Sequence, residues 1–139
     1  MYKLFDFMAN NAGRVETSII DFNAGDKRFL ALQTYADNNG AYYSPGFDQI
    51  GLKENQVNKQ THNHPAYTKY DDFYTERYSM GESYRNGRPF TAGDYQIMQN
   101  KNNTFPYQVY FPKSNNLYSI KKDGIKLIRN VKTSNDLRK

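Results

Sequence analysis

The two histidines of this chain are near neighbours, in the run Thr61, His62, Asn63, His64, Pro65. Residues i and i+2 of an extended strand project from the same face. His62 and His64 would therefore present two imidazoles side by side, the beginning of a metal site. The same pattern also fits two histidines satisfied by ordinary hydrogen bonds. A catalytic zinc takes three protein ligands and leaves one position open for water. The chain has no cysteine, so thiolate ligands and disulfides are excluded and any further ligand must be a carboxylate.

One carboxylate stands in a suggestive place. Asp94 follows Thr91 by three residues in the run Pro89, Phe90, Thr91, Ala92, Gly93, Asp94. If this segment opens a helix, Thr91 and Asp94 share its first turn and point at one place. The same two residues would equally serve as an N-cap hydroxyl and an acid favoured by the helix dipole.

The elements that must position these groups can be read from patterning. Leu4, Phe5 and Met8 have helical spacing, and Asn10, Asn11 and Gly13 end that helix, predicted over Tyr2–Asn10. Val15–Phe22 is rich in β-branched residues and reads as a strand. Asn23–Asp26 is a turn and Arg28–Tyr35 the returning strand. Asn38, Asn39, Gly40, Pro45 and Gly46 mark a loop. Gln56–His62 has strand character. Pro65–Arg88 has no clear period and holds five of the 13 tyrosines. Thr91–Lys101 reads as a helix, with Ile97 and Met98 on its core side. Tyr107–Phe111 and Leu117–Ile120 form a hairpin, and Ile125–Ile128 adds a strand after Asp123 and Gly124. The expectation is one α+β (mixed α/β) domain over 1–139, a central β-sheet flanked by helices.

Composition narrows the function classes. Net charge is +5, and residues 121–139 account for it with seven basic and two acidic side chains. Such a basic tail is a solvated end or a contact for an anionic partner. No apolar run approaches the ~20 residues that span a bilayer. Asp6 interrupts the N-terminal apolar residues where a signal peptide needs continuity.

Taken together, the acid at Glu16, the His62-Asn63-His64-Pro65 run and the Thr91-Ala92-Gly93-Asp94 run resemble the JAB/MPN zinc metalloprotease family, and most of all its toxin and effector branch. That pattern is an acid on an early strand, then His-x-His-Pro, then Ser-x-x-Asp. The resemblance covers about residues 2 to 120. It implies a JAB/MPN-like (cytidine deaminase-like) sandwich. It also implies that His62, His64 and Asp94 ligate Zn2+, that Glu16 is the general base, and that Thr91, in the place of the family's serine, donates to the oxyanion. Twenty-six residues, 65 to 90, separate His64 from Thr91, which makes Pro65–Arg88 an insertion beside the site. Asp71, Asp72, Glu76 and Glu82 within it are rival ligands.

The expected activity is hydrolysis of an amide bond in a protein or peptide substrate, such as a ubiquitin-like conjugate or a cell-wall peptide. The resemblance further implies a secreted effector acting in a target cell, held in check by a cognate immunity protein. Two alternatives remain. The literal His-Asn-His run and the basic tail suit a metal-dependent nuclease, although three adjacent positions do not match how such enzymes spread these residues, so nucleic acid is not the expected substrate. The other alternative is a non-catalytic binding module on the same fold.

Overall fold

The computed structural model describes residues 1–11, 16–34, 50–64, 83–85, 88–90, 105–121 and 124–138. The predicted helix at Thr91–Lys101 and the loop at 38–46 lie outside them, as does almost all of the insertion at 65–88.

The N-terminal pattern folds as expected into α1, Tyr2–Asn11. Its buried side is Tyr2, Phe5 and Ala9, whereas Leu4 and Phe7 stay exposed. The spacing 2, 5, 9 follows the helical period and selects one stripe for the core. The side-chain amides of Asn10 and Asn11 donate back to the carbonyls of Asp6 and Phe7, a local use of Asn that closes the last turn.

Strand β1, Thr17–Ala24, turns directly into β2, Lys27–Thr34. The pair Ala24↔Lys27 closes a two-residue loop of Gly25 and Asp26. Gly25 adopts φ 60°, which a two-residue hairpin turn requires at its first central position and glycine takes without steric cost. A 3-10 turn at Glu54–Gln56 leads into β3, Val57–Asn63. Two short strands, β4 (Ser83–Arg85) and β5 (Arg88–Phe90), pair with each other and, among the described residues, with no other strand. Then come β6 (Tyr107–Phe111), β7 (Asn116–Lys121) and β8 (Gly124–Asn130), and a 3-10 turn at Asp136–Arg138.

The main sheet has six strands in the order β2-β1-β3-β6-β7-β8. Its pairs are antiparallel except β3 with β6, which is parallel. A parallel pair needs a crossover connection, and here it is the chain from His64 to Pro106. This is an α+β domain: a mixed six-stranded sheet with one helix among the described residues.

Both faces of the sheet are packed. On one face, α1 lays Tyr2, Phe5 and Ala9 over Ile19, Tyr110 and Leu117, with Val131 and Leu137 completing the cluster. Phe5 is fully buried, and such a side chain contributes about 1.5–3 kcal/mol through removal from water. The other face carries Ile20, Val109, Phe111, Tyr107 and Ile120, with Leu52, Val57 and Phe105 packed on them.

Polar contacts tie the chain ends to the α1 side. Lys59 is buried, and its ammonium donates to the carbonyls of Leu137 (3.1 Å) and Arg138 (3.2 Å). It also lies 5.3 Å from the centre of the Tyr2 ring. One lysine on a central strand thus holds both the helix start and the last 3-10 turn. Beside it, the buried Asp21 carboxylate accepts from the Arg28 guanidinium and from Asn58 Nδ2. Burial works against the charged carboxylate, but these donors outweigh it and hold its pKa below the ordinary aspartate value.

Two outcomes are expected. Lys59→Ala removes a cation with two backbone acceptors and lowers unfolding free energy by about 2 kcal/mol in denaturant titrations. Asp21 has a lower pKa folded than unfolded, so its stabilisation is complete above the unfolded value, about 3.9, and is lost as pH falls toward the folded value. Acid melts of the wild type will show that decline below about pH 4, and Asp21→Asn, less stable at neutral pH, will show less of it.

Candidate functional site

The site is assembled by the register of β1 against β3. The pairs are Ser18↔His62, Ile19↔Thr61 and Ile20↔Gln60. Ser18↔His62 is the last pair of this register, and Glu16 and His64 follow beyond the end of the ladder. Residues 18 and 20 share a face with 60 and 62, because side chains alternate along each strand. Strand β1 places Glu16 one residue before its first rung, half-buried.

His62 is 1% exposed and His64 is half-buried. Their rings tilt toward one another with centroids 5.2 Å apart. The rings rest on an aromatic wall from β6: His62 is 5.1 Å from Tyr107 and His64 is 5.1 Å from Phe111. Strand β3 runs parallel to β6 here, with His62 beside Val109. The His64 amide donates to the Tyr110 carbonyl at 2.9 Å, so the end of β3 is anchored at the second histidine.

Around the histidines this otherwise apolar face turns polar. Ser18, opposite His62, accepts a hydrogen bond from Gln60 Nε2 at 3.1 Å, and both are fully buried. On the opposite face, Asn63 Oδ1 accepts the Thr17 amide at 2.7 Å. Patterning alone did not single out Ser18, Gln60 or Asn63. The signal was present: Ser18 and Gln60 have the same parity as Glu16 and the histidines, so any strand pairing that joined these runs had to bring them along.

The donor chemistry suits zinc. Imidazole nitrogens are ordinary zinc ligands, and the two ring centroids lie 5.2 Å apart, close to the spacing each ring keeps from its aromatic neighbour on β6. Among the described residues no group of three His, Cys, Asp or Glu side chains comes together as a metal site. Thr91 and Asp94, the expected hydroxyl and third ligand, lie outside the described residues, as do the rivals Asp71, Asp72, Glu76 and Glu82. All six belong to the connection that leaves β3 at His64. Of the five expected site residues, the structure brings His62 and His64 side by side and places Glu16 immediately before β1, the neighbour of their strand.

No described helix is long and apolar enough to cross a membrane. No family model matches the chain, and no curated protein or solved structure matches it.

The paired imidazoles lead to a direct measurement. Wild-type protein will bind zinc at one equivalent by elemental analysis and gain thermal stability with added zinc, as any ligand of the folded state confers. His62→Ala and His64→Ala will lose both effects. Equal zinc content in all three proteins would remove the site.

Proposed function

We propose that this chain is a zinc-dependent peptidase or isopeptidase of the JAB/MPN type. The observation that supports it most is the neighbouring pair of imidazoles, His62 and His64, with ring centroids 5.2 Å apart at the end of β3, and Glu16 just ahead of the strand that pairs with it. His62, His64 and Asp94 would hold the ion. When bound, zinc polarises the scissile carbonyl and acidifies water, so that hydroxide is available near neutral pH. Glu16 takes the proton from the attacking water and passes it to the leaving amine as the C–N bond breaks. The products are then a carboxylate and a free amine. Thr91 donates a hydrogen bond to the oxyanion that forms on the former carbonyl oxygen. Ser18 and Gln60 fill the buried polar positions beside His62, and Tyr107 and Phe111 supply the low-polarity wall that strengthens charge interactions in the site.

The substrate in this reading is a protein or peptide amide, either a ubiquitin-like conjugate or a cell-wall crosslink. The biological setting is a secreted effector acting in a target cell, with a cognate immunity protein as its partner. Both follow from the resemblance of the Glu16, His62-Asn63-His64-Pro65 and Thr91-to-Asp94 elements.

The test is cleavage of a panel of isopeptide-linked protein conjugates and crosslinked cell-wall peptides, with and without chelator. The expected result is chelator-sensitive amide hydrolysis. Glu16→Gln should slow it by at least about 100-fold while zinc content is unchanged. Chelator-sensitive degradation of plasmid DNA or RNA, lost in His62→Ala, would instead establish a nuclease. A Glu16→Gln variant that keeps the biological effect of the wild type would establish a binding module.

A further inference from the structure

We infer that Asn63 is a positioning residue that fixes Glu16 relative to the two histidines; this rests on the hydrolase reading above. Asn63 sits between His62 and His64 in sequence, but its side chain belongs to the opposite face of the sheet and is fully buried. Its Oδ1 accepts the amide proton of Thr17 at 2.7 Å. Thr17 directly follows Glu16. One hydrogen bond therefore joins the residue beside the candidate base to the residue between the candidate ligands.

The location of this bond gives it leverage. The register of β1 with β3 has Ser18↔His62 as its last pair, so Glu16 lies just beyond the end of the ladder. Ladder ends are where strands fray. At the same level β3 is anchored on its other side by the His64 amide on Tyr110. The histidines are thus held by β6, and Asn63 ties the end of β1 to that fixed point. A neutral amide oxygen does so without placing a second charge beside Glu16.

The cost of the arrangement supports a positional role. Asn63 Nδ2 and Thr17 Oγ1 are buried and make no hydrogen bond among the described residues. A buried polar group left in this way destabilises the fold. Two well-packed apolar side chains would serve stability better, but they would leave the Thr17 amide without its acceptor on β3.

The experiment uses cobalt(II) as the probe ion and compares wild type, Glu16→Gln, Asn63→Ala and Asn63→Asp. Amide hydrogen exchange at Thr17 is followed by NMR, and cobalt affinity and its visible spectrum by titration. In Asn63→Ala, Thr17 should exchange about tenfold faster or more. Cobalt affinity should stay within about threefold of wild type, since both histidines are held by β6. The cobalt spectrum should shift toward that of Glu16→Gln. Asn63→Asp, which retains the acceptor but adds the charge, should restore the Thr17 protection and not the spectrum. Asn63→Ser replaces the alanine variant where that variant does not fold. An unchanged cobalt spectrum in Asn63→Ala, or affinity falling in step with thermal stability, would overturn the inference. Wild-type protein that takes up no cobalt would overturn the metal reading and this role with it, an outcome distinct from a normal cobalt site indifferent to residue 63.

Discussion

Strand β3 is hydrogen-bonded on both sides, antiparallel to β1 and parallel to β6, and the arrangement of the candidate site follows from that double bonding. A strand paired on two sides cannot slip by one residue without breaking both ladders and moving every side chain to the wrong face. The register therefore fixes which residues look toward Tyr107 and Phe111 and which look toward α1. His62 and His64 fall on the first side, Asn63 and Lys59 on the second. The first side carries the proposed metal site. The second is where the chain ends are tied down.

This division explains the polar residues buried in the middle of the sheet. Buried polar groups require partners, and most here have one that also does structural work. Thr61 Oγ1 lies 3.0 Å from Gln108 Oε1 across the parallel pair. Lys59 satisfies two carbonyls of the last 3-10 turn, and Asp21 is held by Arg28 and Asn58. On the histidine face, Gln60 bonds to Ser18. Polar contacts thus specify strand pairing, while Phe5, Tyr110, Leu117 and Ile120 supply apolar burial. Both kinds of contact converge on β3, the strand that carries His62.

The helix was legible from local pattern to within one residue, because α1 depends on a period that one stretch of chain contains by itself. The hairpins were equally legible. Gly25 marks one turn, and Tyr107–Phe111 returns as β7 through a short loop in which Asn115 takes φ 57°. Strand ends shifted by one or two residues: the strand expected at Val15–Phe22 is Thr17–Ala24, and that expected at Gln56–His62 is Val57–Asn63. Terminal rungs depend on the neighbouring strand, which local pattern does not contain. The outward position of Leu4 has a similar cause. Helical spacing permits several stripes, and packing against Ile19 and Tyr110 chose the one through Phe5.

From the sequence by itself came the α+β class, the pairing of two imidazoles on one strand face, and the exclusion of thiolate chemistry. These rest on residue identity and on the two-residue repeat of an extended chain. The tertiary structure alone decided that β1 pairs with β3, that Ser18 and Gln60 flank His62, and that Asn63 joins the two strands from behind. Residues more than 40 positions apart meet only through the β1–β3 ladder, and no local pattern specifies which rung of one strand meets which rung of another.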